Sequence, residues 1–272
     1  MNDPNGIYYL GPKGSFSHEV AELLDGNKIA VRSITEIFEK VKSNPNSIGV
    51  IPIENSREGP VHESLDNLYN HDQIYVKYEI EKKIELVLAA NPAINEIHEI
   101  KKVYSHYHAI QESKETLRML GISNIIPVDS TSTAASIALE ERGSAAICSK
   151  YAAKLYGLKI LLDNIQDGIN LTRFLIISRD LSLNGDKSML FFIIPHKPGS
   201  LYHVLGKFYK YNINLTMIYS RPLKTVPWQY YFYLEFEGEL EEERVKKAIE
   251  ELKEVTTSLK IKGSFSRLQY QA

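Results

Sequence analysis

The chain has 272 residues, 43% hydrophobic and 24% charged, enough for two domains with a substantial buried core. Lysine and arginine number 32 against 34 acidic residues, and a net charge of −2 without a basic cluster argues against nucleic acid or a membrane surface as partner. A single cysteine, Cys148, excludes an internal disulfide framework; with no signal-like N-terminus and no apolar stretch of membrane-spanning length, the expectation is a soluble, cytoplasmic protein.

Short apolar strands are predicted at residues 7–10, 48–51, 84–90, 103–105, 125–128 and 145–149. They alternate with helical patterns at 18–24, 61–69, 106–120 and 133–142, which argues for an α/β fold with a largely parallel sheet. A break near Asn91-Pro92, with the chain returning through residues 172–178, suggests two lobes around a cleft, with hinges near 80–95 and 160–170. The polar stretch 181–187 reads as a linker. Beyond it, strands at 189–195, 216–222, 230–236 and 259–265 enclose two amphipathic helices. One is marked by Leu201, Val204, Leu205 and Phe208, the other by Val245, Ala248, Ile249 and Leu252. The order βαββαβ is that of a ferredoxin-like unit, which would take a ligand at a helix start or strand edge and often pairs with a copy of itself.

Four polar loops carry the candidate chemistry. Residues 11–17 join a strand to a helix, with glycines for close approach and Ser15 as a cap beside N–H groups able to face an anion. Residues 52–60 bring Glu54, Asn55 and Ser56 to a strand end, where open α/β folds place ligands, with Pro60 suited to a helix start. Residues 129–135 offer Ser132 and Thr133 among four consecutive hydroxyls. The last loop, 164–174, ends in Thr172-Arg173-Phe174, a hydroxyl beside a guanidinium. Three helix starts plus an arginine describe a pocket for an acid with more than one carboxylate. Residues 11–17 and 129–135 also read as ordinary helix caps, 52–60 as a structural turn, and Arg173 as an ion pair to Glu54 or Asp167. His106 and His108 are too few for a metal site, so no metal is expected.

At this point the residues carry a resemblance. Residues 11–17, 52–59, 103–109, 132–138 and 164–174 resemble the motifs of prephenate dehydratases. Residues 189–265 look like the ACT regulatory domain attached to them, with Gly199-Ser200-Leu201 and Ser220-Arg221-Pro222 at its two ligand motifs. The resemblance implies a two-lobed catalytic domain of periplasmic-binding-protein-like architecture over residues 1–183, and a ferredoxin-like ACT domain over 187–270. It implies conversion of prephenate to phenylpyruvate with loss of water and carbon dioxide, in L-phenylalanine biosynthesis and without a cofactor. L-phenylalanine would be the allosteric effector, and a homo-oligomer, dimer or tetramer, would assemble through the ACT domain.

In that reading Thr172 donates to the leaving oxygen and Arg173 anchors a carboxylate. Ser15, Glu54, Asn55, Ser56, Ser132, Thr133 and Phe174 bind or orient substrate, a proton-donating role staying open for Glu54. Gly199, Leu201, Asn214, Leu215, Ser220 and Arg221 receive phenylalanine. The chain departs from the family at Tyr107-His108, where Pro-Gln is common, and at Tyr219, where a glutamate is usual. With its first motif at Gly11, the chain is expected to lack a fused chorismate mutase. Arogenate dehydratase and a non-catalytic amino-acid sensor are the alternatives.

Overall fold

The computed structural model of the chain describes residues 5–269. In chain order its elements are β1 (Gly6–Leu10), α1 (Phe16–Glu22), β2 (Lys28–Val31), α2 (Ile34–Ser43), β3 (Ser47–Asn55), β4 (Gly59–Pro60), α3 (His62–Asn70), β5 (Tyr75–Lys83) and β6 (Val87–Ala90). There follow β7 (Lys102–Ser105), α4 (Tyr107–Glu112), α5 (Lys114–Met119), β8 (Ile125–Pro127), α6 (Thr131–Glu140), β9 (Ser144–Cys148), α7 (Lys150–Leu155), β10 (Lys159–Leu162) and β11 (Leu171–Ser178). The last are β12 (Lys187–Ile193), α8 (Ser200–Lys210), β13 (Leu215–Pro222), β14 (Tyr230–Glu237), α9 (Glu243–Val255) and β15 (Ser258–Arg267). Among the described residues no helix is long and apolar enough to cross a membrane. The chain forms two compact units. One holds residues 5–37, Val50–Pro60 and Glu81–Phe174; the other holds Phe38–Gly49, Val61–Ile80 and residues 175–269.

The first unit contains two α/β lobes. In one, β1 lies parallel to β2 with Ile7 opposite Lys28, and the two-residue β4 folds back on β3, Asn55 opposite Gly59. The other lobe is a five-stranded sheet in the order β10-β6-β9-β7-β8. Its central strand β9 is buried along its whole length, as a strand covered on both faces must be. Ala134, Ala135 and Ala138 of α6 share a core with Ala146 and Cys148 of β9, small side chains that let helix and sheet approach closely. Two crossings join the lobes, after β5 and after β10. They bond to one another: Ile84 N–H donates to the Asn170 carbonyl (2.9 Å), and Ile165 N–H to that of Leu86 (2.9 Å).

The helix expected over 106–120 is two helices. At Ser113 the backbone leaves the helical region (φ −115°, ψ 13°). The Asp167 carboxylate then caps the new start, accepting from the N–H groups of Glu115 (2.8 Å) and Thr116 (3.1 Å). Strands β2, β5 and β10 and helices α2 and α7 were not anticipated from sequence.

In the second unit, β12, α8, β13, β14, α9 and β15 form the expected βαββαβ unit, its antiparallel sheet ordered β13-β14-β12-β15. One sheet face packs Leu190, Phe192, Leu234 and Phe236 against Val204 and Phe208 of α8 and Val245, Ile249 and Leu252 of α9. On the other face, Tyr69 of α3 stacks on Tyr231 (centroids 4.2 Å apart) and meets Phe191 edge-on (5.8 Å). The same α3 carries Asp66. Its carboxylate receives both Nε (3.1 Å) and Nη2 (2.8 Å) of Arg221, Nζ of Lys224 (2.9 Å) and the Tyr231 hydroxyl (2.5 Å). Burial opposes ionisation of Asp66, but hydrogen bonds from Arg221, Tyr231 and Lys224 outweigh it and hold the pKa down at about 2.

Candidate active site

A cavity of about 400 Å³ opens in the first unit, within the size range of small-molecule sites. The starts of α1, α4 and α6 reach it through Ser15, His106 and Ser130, each the capping residue of its helix. Asn55 from the end of β3 and the alternating residues Asn170, Thr172 and Phe174 at the start of β11 complete the wall, with Glu112 at the end of α4. Acidic residues and histidines line it, and among the described residues no lysine or arginine does. Favourable partners for an anion are therefore backbone N–H groups, such as those helix geometry leaves unpaired in the first turn of α6. His106 has its pKa lowered by burial and by the neighbouring His108, with Asp129 opposing, so its imidazole is neutral near pH 7.

One hydrogen-bond chain organises the wall. The Arg57 and Glu58 N–H groups can only donate, and both donate to the side-chain oxygen of Asn55 (2.9 and 3.0 Å). That fixes the Asn55 amide, whose nitrogen must then face Asn170 Oδ1 (2.6 Å) and Thr172 Oγ1 (2.9 Å). Asn170 is fixed in turn, and its nitrogen donates to Glu112 Oε1 (2.7 Å). Thr172 accepts from Asn55, so its own hydroxyl proton is left for the cavity it lines.

Ser15, Asn55, Thr172 and Phe174 of the sequence-derived set line this cavity; Glu54, Ser56, Ser132, Thr133 and Arg173 do not. Arg173 lies between Thr172 and Phe174 on a strand, so its side chain leaves from the opposite face, where its Nη1 donates to Glu54 Oε2 (3.0 Å). Of the two roles open to Arg173 in the sequence, carboxylate anchor or ion pair, the ion pair with Glu54 is formed here. Ser56 clips its loop to β11, its hydroxyl accepting from Leu171 N–H (3.0 Å) and its N–H donating to the Leu171 carbonyl (2.8 Å). Ser132 is fully buried and donates to the Lys13 carbonyl, while Thr133 Oγ1 bonds Ser130 Oγ (2.7 Å). From that loop Asp129, Ser130 and Thr131 reach the cavity instead. Even the Ser15 hydroxyl is occupied by structure, donating to the Leu10 carbonyl (2.8 Å) and accepting from His18 N–H (3.2 Å).

Sequence reasoning missed Glu112 and gave Asn170 no role. Helical spacing from His108 to Glu112, and strand spacing from Asn170 to Thr172, were the available signals.

The second unit has its own cavity of about 460 Å³ at the start of α8. Gly199 and Leu201 line it, with Trp228 and Phe232 across from them in sequence. Gly199 caps the helix at φ +83°, a conformation glycine adopts without strain. Asn214, Leu215, Ser220 and Arg221 are absent from this lining. Asn214 bonds Glu237 (3.0 Å), Leu215 packs on the helical core, Ser220 is exposed on β13, and Arg221 is held by Asp66. Of the six residues expected to receive phenylalanine, Gly199 and Leu201 line this cavity.

Comparison with known proteins finds two families along the chain. Residues 7–182 match the family described as "Prephenate dehydratase", and residues 188–254 match "ACT domain". A bifunctional chorismate mutase/prephenate dehydratase from Aquifex aeolicus is 41% identical, over 97% of this chain and 74% of its own length. The prephenate dehydratase structure from Staphylococcus aureus superposes with a TM-score of 0.83 at 33% identity, covering 96% of this chain and 99% of the other. That of an Arthrobacter aurescens prephenate dehydratase in complex with L-Phe gives a TM-score of 0.88 at 28% identity, over 96% and 90%. The chain belongs to the prephenate dehydratase family and carries a C-terminal ACT domain.

Proposed function

We propose that the chain is a prephenate dehydratase, forming phenylpyruvate for L-phenylalanine synthesis in the cytoplasm, with residues 1–183 as catalytic part and 187–270 as regulatory ACT part. Prephenate is a dicarboxylate with a ring hydroxyl. The bond to the departing carboxylate breaks and its electron pair enters the ring, while the C–O bond to the hydroxyl breaks. One proton is taken up, so the products are water, carbon dioxide and phenylpyruvate. Aromatisation drives the reaction; the wall must supply a hydrogen-bond donor at the leaving oxygen.

The observation that carries this reading is the polarity of the Asn55–Thr172 bond, which leaves the Thr172 hydroxyl a donor toward the cavity. A threonine hydroxyl is a weak acid, so its role is a hydrogen bond that strengthens as charge develops on the oxygen, with the consumed proton coming finally from solvent. Phe174 offers an apolar face to the ring. The α8-start cavity, with Gly199 and Leu201, is proposed to take phenylalanine as effector, supported by the relative whose structure holds L-Phe. Assembly as a homodimer or tetramer through the ACT domain belongs to the same proposal.

The test is phenylpyruvate formation from prephenate by the purified protein beside Thr172→Val. Removing a positioned donor should lower kcat by about 10²–10⁴. A wild-type protein without turnover on prephenate, but active on arogenate, would move the substrate to the amino analogue. A variant as fast as wild type would remove Thr172 from the chemistry.

A further inference from the structure

Glu112 has no place in the reading from sequence, yet it ends the hydrogen-bond chain that begins at Thr172. It is 6% exposed, and Asn170, through which it acts, is 3% exposed. Asn170 gives its oxygen to Asn55 and has one amide group left; Glu112 Oε1 receives it at 2.7 Å. Without that acceptor, a buried amide N–H would lack its partner, and the Asn170 side chain could rotate to seek another. Rotation would withdraw the oxygen that, with Thr172 Oγ1, holds the Asn55 nitrogen in place.

The position of Glu112 in the fold serves this contact. It closes α4, four residues after His108 and just before the Ser113 break, so the same helix presents His108 and Glu112 to one cavity. The crossing segment is tied to the same place, Asp167 N–H donating to the Glu112 carbonyl (2.5 Å). Helix end and crossing are thus fixed to each other, and the Glu112–Asn170 bond sets the alignment of β11's first residues against α4.

We propose that Glu112 is a positioning residue for the dehydration: as a hydrogen-bond acceptor it fixes Asn170, which with Asn55 keeps the Thr172 hydroxyl aimed at the leaving oxygen. The inference rests on the dehydratase reading above. It assigns Glu112 the function of an acceptor, not of a charge or an acid, and this distinction makes it testable.

The experiment measures kcat and KM for phenylpyruvate formation by wild type, Glu112→Ala, Glu112→Gln, Asn170→Asp and the double variant Glu112→Gln/Asn170→Asp, each checked for cooperative thermal unfolding. Glu112→Ala should lower kcat by about 10- to 100-fold with KM within about threefold, the pattern of an interaction that acts in the transition state. Glu112→Gln should recover kcat to within about fivefold of wild type, because the amide oxygen still accepts from Asn170. Asn170→Asp keeps an acceptor for Asn55 but sets a carboxylate against Glu112, and should be as slow as Glu112→Ala. Adding Glu112→Gln to it restores the bond with reversed polarity, the glutamine amide donating to the new carboxylate, and should recover at least about tenfold. The proposal is overturned if Glu112→Ala keeps wild-type kcat, if Glu112→Gln is as slow as Glu112→Ala, or if the double variant is no faster than Asn170→Asp. Should Glu112→Ala fail to fold, the two substitutions at conserved volume still decide the matter. A folded wild type without prephenate turnover overturns the dehydratase reading instead, an outcome distinct from any of these.

Discussion

Replacing Asp66 by asparagine is the sharpest test of how the second unit is held together. The substitution keeps the shape of the side chain but removes the charge that Arg221, Lys224 and Tyr231 all address, and turns an amide N–H toward donors. The magnitude follows from linkage. A carboxyl shifted from 3.8 to about 2 contributes roughly 2.5 kcal/mol at neutral pH, at about 1.4 kcal/mol per unit. The folded pKa is depressed, so this stabilisation is fully present above the unfolded value of 3.8 and is lost as pH falls through 2. At pH 3 about 1 kcal/mol of it remains, because the unfolded chain is by then mostly protonated at this site. Only 16% of the Asp66 side chain is exposed, so solvent screening takes little from the figure. Urea unfolding followed by circular dichroism should show Asp66→Asn less stable by about 2–3 kcal/mol at pH 7, the gap narrowing to about 1 kcal/mol at pH 3. A gap under about 0.5 kcal/mol at pH 7, or one that does not shrink on acidification, would refute the reasoning. The same cluster bears on regulation. An Arg221 that served an amino-acid ligand would have to leave Asp66, and would forfeit a bidentate bond to do so.

Two further outcomes test the packing around the sites. At Gly14, φ is +86° and an added Cβ would stand 2.7 Å from the buried Ser132 Oγ, so Gly14→Ala should lose about 1–3 kcal/mol, read as a fall in Tm. Lys262 is wholly buried, its Nζ donating to the carbonyls of His71 (2.7 Å) and Ile74 (3.3 Å), and burial pulls its pKa down to about 8. In the unfolded chain the group stays protonated to about 10.5, so between these values the unfolded state binds more proton and wild-type stability should rise with pH, by up to about 3 kcal/mol. Lys262→Met should lack that rise when unfolding free energies at pH 7.5 and pH 10 are compared.

How much of the fold was legible depended on whether an element carried its own signal. The βαββαβ unit is plain in sequence because α8 and α9 are amphipathic with Val204, Phe208, Val245 and Leu252 at helical spacing, and its strands are rich in aromatic and branched residues. Strand β2, four residues long and three-quarters half-buried or exposed, has no alternation to find. The break at Ser113 is invisible locally, since the cap that begins α5 comes from Asp167, more than fifty residues on. Nor does sequence suggest that α3 covers the sheet of the second unit, because that depends on Tyr69 meeting Tyr231 and Asp66 meeting Arg221 across a long chain separation.

The site divides in the same way, between which loops matter and which atoms of them do. Composition picks out the loops well: each of the four supplies at least one cavity-lining residue. Within a loop, the choice between neighbours is made by strand and helix phase. Thr172 and Arg173 look like one functional pair in sequence, but consecutive strand residues cannot share a face, and Glu54 is close enough to take the guanidinium. In the hydroxyl run, Ser130 caps the helix, Thr133 closes back on it, and Ser132 is drawn to the Lys13 carbonyl by a loop that Gly14 allows to approach. Ser132 and Thr133 are thus taken up by the wall itself, while Ser130 and Thr131 line the cavity. What sequence could not carry at all is the direction of a hydrogen bond. Two backbone N–H groups after Asn55 decide which way its amide points, and through Asn170 and Thr172 that local turn sets a donor in the cavity. The turn at residues 55–58 therefore sets, through its own backbone groups, the way the Asn55 amide faces the cavity wall.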